Sequence, residues 1–486
     1  MQNQKDAPMT VTPTRGMIAH LGRARPAYSL AVFRIAFGAL MMWDCWRFIR
    51  DDRIWRYWIA PDFHFHYPGF AWIRPLPEAW LELAWLVMGT AALFVMLGLF
   101  YRLAIIVFTL VFAYFFLLDA AEYLNHFYLV LLYAMILCCV PAARVWSLDA
   151  WSAPRRDRRV PYLSVFMLRA QTEIVLIYAG LVKLTPDWLQ GQPLGLWLRA
   201  RTEGMWLAPM FQMDWIILAA SWGVIALHVL GAPLLLWRRT RLPVFLIYCA
   251  FHGANAWFFN IGIFPWLTIA ASTIFFSPDW PAVLLRRVTG GQPDDAASDR
   301  SDRTISLPHI ALMAAALWLV VQIVLPVRGA AFDSEIRWSG DGHRFSWRMR
   351  IYDRQAVGSF VVTDRTTGDS WRVDPEYFLT RRQADKMLVR PDLIDQFADH
   401  LADLWRQQGH DVSINAEICK SLNGRPCQVF IDPAADLAQT DWALFGTDPW
   451  VLPLKIPAWG LRSQTDPEFQ TFDPAGTHRC PTVSAA

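Results

Sequence analysis

The sequence predicts a mainly α-helical polytopic membrane bundle followed by an extramembranous, β-rich domain with a sandwich-like arrangement. Three observations support this fold class. Hydrophobic residues make up 55% of the 486 residues and charged residues only 18%, a combination that soluble proteins rarely show. Several apolar runs are long enough to cross a bilayer. The carboxyl end instead alternates apolar and polar residues, which is typical of strands.

The apolar runs predict about nine transmembrane helices. These lie near Tyr28–Phe48, Ala79–Phe100, Leu103–Ala120, Leu124–Val140, Leu163–Leu184, Trp215–Trp237, Leu242–Phe259, Ile263–Phe276 and Pro308–Leu325. We therefore expect a transmembrane domain over residues 1–328 and an external domain over residues 329–486. The chain shows no internal repeat, and paired, related halves are the usual sign of a transporter.

The arginines of the loops predict how the bundle is oriented. With an odd number of crossings, nearly every basic cluster falls on one side, which the positive-inside rule makes the cytoplasm. The loop over residues 50–78 carries four arginines on the other side, but its many aromatic residues indicate an interfacial cap. We expect a cytoplasmic N-terminus and an external domain in the periplasm or its equivalent. A net charge of +3 is too small to indicate a nucleic-acid partner.

The external domain is predicted to be mainly strands. The segments FSWRMRIYD and SFVVTD alternate apolar and polar residues, and SGDG and NGRP are typical of turns. A helix near Pro391–Gln407 is expected to interrupt the strands. Three cysteines, Cys419, Cys427 and Cys480, allow one disulfide if this domain faces an oxidising compartment, and the pairing stays open.

Lys183 is the first candidate for chemistry, because it ends an apolar helix just before the turn TPDW. Ala179 and Gly180 precede it by four and three positions on the same helical face. Small residues there predict a gap beside the amine. Two interpretations stay open: the lysine extends to the membrane interface as an anchor, or it acts as a base in a pocket of low polarity.

Further polar residues are predicted to converge on the same outer end of the bundle. They are Asn125, His126, His252 and Asn255. Polar and ionisable groups inside a membrane are costly and indicate a functional site by default. Asp119 or Glu122, on the same predicted helical face, could hold the tautomer of His126, although a hydrogen bond at the helix start is an equal alternative. His252 could instead be a polar contact between helices.

Other candidates are expected to be structural. His64 and His66 have no carboxylate or cysteine partner at a suitable spacing, so we predict no metal site. Arg169 and Glu173, spaced i and i+4, predict an ion pair. His228 is expected to lie in the core.

A resemblance to a known family rests on three segments. They are YLNHFYL around His126, LRAQTEIVLIYAGLVKLTPDWLQGQPL around Lys183, and FHGANAWFFNIGIFPW from Phe251. These segments resemble the vitamin K-dependent gamma-glutamyl carboxylases, whose bacterial members are HTTM-domain proteins. The same pattern continues, in order, in DFHFHYPGFAWIRPLP, FSPDWP, FSWRMR, FLTRRQADKM and SLNGRPCQVFIDPAADLA.

The resemblance implies an enzyme that couples two reactions. Reduced vitamin K, either phylloquinol or menaquinol, is oxygenated to its epoxide, and this generates a strong base that removes the γ-proton of a peptide glutamate. The carbanion then adds carbon dioxide in a lyase-type reaction. Oxygen and carbon dioxide are co-substrates, no metal is needed, and a quinone reductase is an indirect partner. The implied setting is the bilayer of a bacterial inner membrane.

The resemblance also implies roles for individual residues. Lys183 matches the initiating base, and His126 matches the histidine that orients or polarises the quinone. Asn125, Ala179, Gly180, His252 and Asn255 would line the quinone site. Trp347 and Met349 of the FSW segment match the region associated with the peptide substrate.

Two departures from the family leave the peptide half of the reaction less well supported. The external domain is shorter than in the vertebrate enzymes, and the cysteines do not reproduce the vertebrate disulfide in an obvious way. Two alternatives are therefore kept. One is a quinol epoxidase or oxygenase that acts on another acceptor, and the other is a non-enzymatic membrane protein that binds a peptide.

Overall fold

The computed structural model describes residues 13–153, 157–259, 261–290, 303–446, 448–456 and 460. All nine predicted apolar segments are helical. Among the described residues, six helices are long and apolar enough to cross a membrane: Tyr28–Arg50, Glu78–Leu97, Tyr101–Leu118, Tyr162–Leu181, Asp214–Leu236 and His309–Ala331. Asn125–Cys139 and Phe264–Phe275 are shorter apolar helices. The predicted count of nine crossings therefore stays a prediction, since length and composition support six.

The remaining described helices are short, except for Arg241–Phe258, which has 18 residues. They are Pro13–Gly22, Trp55–Ile59, Ala120–Glu122, Leu148–Trp151, Pro186–Leu189, Leu194–Thr202, Ala208–Phe211, Arg241–Phe258 and Trp280–Thr289. Within the span Asp214–Leu236, the turn Leu227–Gly231 is π-helical. Such turns often occur at functional sites, and this one carries His228.

Arg34 shows how the bundle satisfies a buried charge. Its side chain is fully buried, and its Nη1 donates to the carbonyl oxygens of Val95 and Met96 at 3.0 and 3.1 Å. These carbonyls belong to the last turn of Glu78–Leu97, where helix carbonyls lack partners in their own helix. Gly98 ends that helix with φ of 64°, a conformation that glycine adopts most easily. The guanidinium therefore caps the helix.

The predicted ion pair between Arg169 and Glu173 is wrong. Arg169 donates instead to the carbonyl oxygens of Ile274 and Phe276, both at 2.7 Å. These carbonyls lie at the end of the short apolar helix Phe264–Phe275. They accept the hydrogen bonds of the guanidinium in place of Glu173. Both carboxylate oxygens of Glu173 lack a hydrogen-bond partner among the described residues.

The C-terminal region, residues 329–456, contains one antiparallel sheet. Its strands are β3 (Arg354–Asp364), β4 (Ser370–Val373), β5 (Val412–Leu422) and β6 (Gln428–Val429), in the order β4-β3-β5-β6. β1 (Ala24–Pro26) and β2 (Arg159–Pro161) form a separate pair in the bundle. The short helices of this region are Ile336–Ser339, Pro375–Tyr377, Arg381–Met387 and Leu437–Gln439.

The prediction of a sandwich-like arrangement is wrong, because the predicted helix Pro391–Gln407 takes the place of a second sheet. Its apolar face is buried at Leu393, Ile394, Phe397 and Leu401. Phe397 packs against Phe360 of β3, with ring centroids 5.1 Å apart. A helix layer covering one sheet face buries the apolar side of both elements. The region is an α+β layer structure.

The segment FSWRMRIYD also differs from its prediction as a strand. Phe345, Trp347 and Arg350 have φ of 61°, 56° and 49°, which the extended conformation does not allow. The strand begins later, at Arg354. Downstream, Cys419 and Cys427 form a disulfide, one of the pairings left open by the sequence, and Cys480 lies outside the described residues.

Candidate active site

A large cavity lies where the helical bundle meets the C-terminal region, and its volume is about 2140 Å³. Seven of the nine predicted site residues line it: Lys183, His126, Asn125, Ala179, His252, Asn255 and Met349. Ligand cavities are commonly about 300–1,000 Å³, so this one has room for more than one small substrate. These seven residues, which are up to 224 positions apart in the sequence, line one cavity.

Lys183 lies inside the protein, two residues beyond the end of the helix Tyr162–Leu181. Its side chain is buried, with 6% of the residue exposed. The Nζ atom donates to the carbonyl oxygens of Ala179 at 2.7 Å and Met349 at 3.4 Å. It also lies 5.2 Å from the centroid of the Trp188 ring. An amine that bonds protein carbonyls beside a cavity is not an interfacial anchor, so that alternative is removed.

The surroundings of Lys183 favour its neutral form. Burial lowers the pKa of Lys183 from its usual value to about 7, because a charged ammonium loses its hydration there. Within the described part of the chain, its hydrogen bonds go to carbonyl oxygens, and no carboxylate offsets this loss. Close to neutral pH, a substantial fraction of this amine is therefore able to accept a proton.

His126 stands in the first turn of Asn125–Cys139 and faces the cavity without the predicted carboxylate. The helix Tyr101–Leu118 ends before Asp119, so the 3.6-residue spacing does not continue to His126. Asp119 accepts a hydrogen bond from Gln383 Nε2 at 2.8 Å, and Glu122 accepts one from Arg382 Nε at 2.7 Å. The alternative in which either carboxylate holds the His126 tautomer is therefore removed.

Asn125 connects the bundle to the C-terminal region. Its Oδ1 accepts a hydrogen bond from the Tyr123 hydroxyl at 3.0 Å. Its Nδ2 donates to the carbonyl oxygen of Arg348 at 3.3 Å. Since Lys183 bonds the next carbonyl, that of Met349, one short segment is attached to both site residues.

His252, on the helix Arg241–Phe258, also lines the cavity. It is 1% exposed, and neither ring nitrogen has a hydrogen-bond partner among the described residues. Its ring packs at 6.0 Å from Tyr248 and 5.9 Å from Phe264. Buried polar atoms are usually hydrogen-bonded, so the orphaned nitrogens indicate a position where a polar group of a ligand fits.

Two predicted site residues do not line the cavity. A Cβ at Gly180 would lie 2.7 Å from Val229 Cγ2 and 2.8 Å from His228 Cβ, so this glycine permits a close helix–helix contact. Trp347 is fully buried and stacks on Tyr128 at 5.0 Å. Its side chain therefore packs in the core.

His228 is buried, with 5% of the residue exposed, as expected for the core. It also lines the cavity, which was not predicted from the sequence. It sits in the π-helical turn opposite Gly180, and its Nδ1 lies 2.8 Å from the carbonyl oxygen of Val224. A π-helical turn leaves no clear mark in an apolar sequence. The histidine itself, in an apolar span, was the available signal.

The turn after Lys183 is held by a buried ionic cluster that the sequence analysis also missed. Asp187, in the turn Pro186–Leu189, accepts hydrogen bonds from both terminal nitrogens of Arg425, at 2.7 and 2.8 Å. Asn423 Nδ2 donates to it at 2.8 Å, and Arg337 Nη1 lies 3.1 Å away. Asp187 and Arg425 are both fully buried. The NGRP turn is thereby attached to the segment that positions Lys183.

The C-terminal region gives the cavity a cationic wall. Its basic lining residues are Arg348, Arg350, Arg354, Arg381, Arg382, Lys386 and Arg390, and its acidic ones are Asp353 and Asp385. The excess of positive charge suits an anionic substrate. The basic residues of the RRQADK segment are evident in the sequence, but the sequence does not show which of these side chains face a cavity.

The described residues contain no group of three or more His, Cys, Asp or Glu that could hold a metal ion. The described lining instead contains histidines, the lysines Lys183 and Lys386, arginines and a few separate carboxylates. Such a set provides proton acceptors, hydrogen-bond partners and positive charge.

Comparison with protein families gives one match to the helical bundle and one to the C-terminal region. Residues 23–280 match the HTTM domain, and residues 307–456 match the lumenal domain of vitamin K-dependent gamma-carboxylase. The chain belongs to the gamma-glutamyl carboxylase family. No solved structure matches it.

Membership in the carboxylase family has two direct consequences. The chain is an integral membrane protein with carboxylase domains, and the family uses reduced vitamin K, oxygen and carbon dioxide on a glutamate-containing substrate. The cavity lies where the two family domains meet. Both domains contribute residues to its lining.

Proposed function

We propose that this carboxylase-family protein is a γ-glutamyl carboxylase coupled to vitamin K epoxidation, with Lys183 as the initiating base. One observation carries the proposal: a buried amine faces a cavity shared by the membrane bundle and the C-terminal region. A base at this position reaches a substrate from the bilayer and a peptide from the aqueous side.

The hydrogen bonds of Lys183 explain how it would act. A neutral amine has two N–H groups and one lone pair. The carbonyl oxygens of Ala179 and Met349 accept the two hydrogens, which leaves the lone pair for a proton of the substrate. After proton transfer, the Trp188 ring at 5.2 Å stabilises the ammonium through a cation–π interaction.

The aromatic part of the cavity lining suits the ring of a quinol. Aromatic side chains, including Phe251, Phe259 and Phe264, supply apolar surface. His252 supplies two ring nitrogens that need a partner, and Asn255 and His126 add polar contacts. When bound, reduced vitamin K reacts with oxygen and supplies the strong base that removes a glutamate γ-proton. The chain's own task is to orient the hydroxyl toward Lys183 and to exclude water.

The surrounding packing limits the access of water to Lys183. The buried cluster at Asp187 fixes the turn after the lysine. Trp188, in the same turn, is 3% exposed, and its Nε1 donates to the carbonyl oxygen of Ser221 at 3.0 Å. A strong base is quenched by water. The packing around this turn, which keeps water from Lys183, therefore supports the coupled reaction.

The proposed setting follows from the arrangement of charges and domains. We infer a bacterial inner membrane, a cytoplasmic N-terminus and a periplasmic C-terminal region. A quinone reductase would supply the reduced quinone without a stable contact with this protein. The peptide would approach along the cationic wall.

One assay tests both half-reactions together. Purified protein is incubated with reduced vitamin K, a glutamate-containing peptide and labelled bicarbonate, and epoxide and fixed label are measured in the same tube. The proposal expects both products to form in parallel. Absence of both products would overturn it.

A second candidate is a quinol epoxidase that acts on another acceptor. The burial of Trp347 favours it, since a residue expected to meet the peptide is not accessible. This candidate predicts epoxide without label on glutamate, so mass spectrometry of the peptide separates the two functions.

A further inference from the structure

The guanidinium of Arg390 is buried and has unsatisfied hydrogen-bond donors. Arg390 is 8% exposed and lines the cavity. Its Nε and Nη1 atoms have no hydrogen-bond partner among the described residues. A buried guanidinium with two N–H groups that lack an acceptor is costly. Such a group is tolerated where a ligand supplies the missing acceptors.

The acidic groups near Arg390 do not supply them. Asp392, two residues later, forms a salt bridge with Arg344. Asp385 and Asp353 line the same cavity, but neither forms a salt bridge with Arg390 within the described part of the chain. Asp392 attracts Arg390 electrostatically, but no carboxylate of the described residues accepts a hydrogen bond from its Nε or Nη1.

Two neighbours complete a set of groups that fits an anion. Lys386 and His343 line the cavity with Arg390, and His343 Nδ1 is buried without a partner. Burial lowers the pKa of Arg390 to about 10 and that of Lys386 to about 8. Both groups thus stay largely charged at neutral pH. Burial and the surrounding arginines keep the pKa of His343 low, so its neutral ring is free to donate one hydrogen bond.

These groups connect to the lysine end of the cavity. The rings of His343 and Tyr123 lie 6.1 Å apart, and the Tyr123 hydroxyl donates to Asn125 at 3.0 Å. Two residues beyond Trp347, the carbonyl of Met349 accepts from Lys183. The short segment from His343 to Met349 therefore spans from the anion-binding groups to the proposed base.

We propose that Arg390, Lys386 and His343 form a carboxylate subsite that binds the side chain of the peptide glutamate. This inference rests on the proposed function and assigns its substrate-binding residues. A planar guanidinium matches a carboxylate with two parallel hydrogen bonds. Quinols and carbon dioxide carry no such group, so the glutamate is the substrate whose chemistry fits.

The test is an equilibrium binding measurement on full-length protein in nanodiscs. Two fluorescent peptides that differ only by Glu against Gln are titrated in the absence of quinol. We expect wild type to bind the Glu peptide at least about tenfold more tightly, since hydrogen bonds to charged groups contribute about 1.5–3 kcal/mol. Arg390→Gln is expected to remove this preference and leave the Gln peptide's affinity unchanged.

Two further variants keep the test interpretable. Arg406→Gln changes an exposed arginine on the helix that follows Arg390, away from the residues that line the cavity, and is the matched control, with an expected change in affinity below about threefold. Lys386→Gln is the second test variant and should weaken the Glu preference in part. If Arg390→Gln does not fold, Lys386→Gln decides the result.

The outcomes separate the subsite from the proposed function. Wild type that prefers the Glu peptide but forms no carboxylated product supports the subsite and removes the function. A Glu preference that survives in both Arg390→Gln and Lys386→Gln overturns the subsite. Displacement of the Glu peptide by bicarbonate at the level that saturates carboxylation would assign these groups to bicarbonate and also overturn the proposal.

Discussion

Two buried lysines, Lys183 and Lys420, show what distinguishes a candidate base from a structural amine. Both bond backbone carbonyls: Lys183 those of Ala179 and Met349, and Lys420 those of Trp338 and Val389. Burial lowers the pKa of each. Only Lys183 is among the described residues that line the cavity. The Nζ of Lys420 is covered by the Phe430 ring, whose centroid is 3.6 Å away. Access to a substrate, not burial, therefore separates the two roles.

The largest expected effect is on the rate of epoxide formation when each lysine is replaced by methionine. Lys183→Met should lower this rate by about 10²–10⁴-fold, the usual contribution of a general base. Lys420→Met should leave the rate within about threefold of wild type. Its cost should appear in thermal unfolding, at about 1–3 kcal/mol, because two buried carbonyls lose their donor. Equal loss of activity in both variants would break the comparison.

The cluster at Asp187 tests whether the position of Lys183 depends on the C-terminal region. Asp187→Asn leaves Arg425 and Arg337 buried with less compensation, so we expect the free energy of unfolding to fall by about 3–5 kcal/mol. Epoxide formation should fall as well. The matched control is Asp214→Asn, which breaks a more exposed pair with Arg199 at 2.6 Å and should cost less than about 1 kcal/mol. Similar unfolding temperatures for the two variants would contradict this account.

The pH dependence of wild type sharpens the assignment of Lys183. Its pKa is lowered to about 7, and the neutral form is the active one. The rate of epoxide formation should therefore fall about tenfold per pH unit below pH 7 and level off above it. Initial rates between pH 5.5 and 9 measure the profile. A rate independent of pH across this range would argue against a titrating amine.

The packing beneath the lysine gives the smallest expected effect. Gly180→Ala places a Cβ within 2.8 Å of His228 Cβ, and such overpacking costs about 1–3 kcal/mol. Gly253→Ala is the control, since nothing lies within 4 Å of its new Cβ. Thermal unfolding of both variants measures the difference. A Gly180→Ala protein as stable as Gly253→Ala would show that the close contact is not required.

The sequence predicted the parts of this molecule that depend on local composition. Nine apolar segments became nine helices, and the helix Pro391–Gln407 was placed correctly. The family resemblance, from ordered segments along the chain, is confirmed by both domain matches. It also named seven residues that line one cavity.

The remaining features depend on tertiary contacts that a periodic pattern does not carry. Alternation in FSWRMRIYD indicated a strand, but the positive φ angles at Phe345 and Trp347 are set by contacts with the bundle. The break in the helix after Leu118 moved two carboxylates away from His126. The burial of Arg390 and its unpartnered nitrogens could not be predicted, because an arginine in a sequence is ordinarily expected to be solvated.

Chemical rescue of Lys183→Ala tests the central claim most directly. Epoxide formation by this variant is measured with increasing concentrations of small primary amines, alongside Lys420→Ala. The account predicts a rate at least about 10²-fold below wild type, with partial recovery that follows the concentration of the neutral amine. A Lys183→Ala protein that forms epoxide at the wild-type rate with no added amine would contradict it.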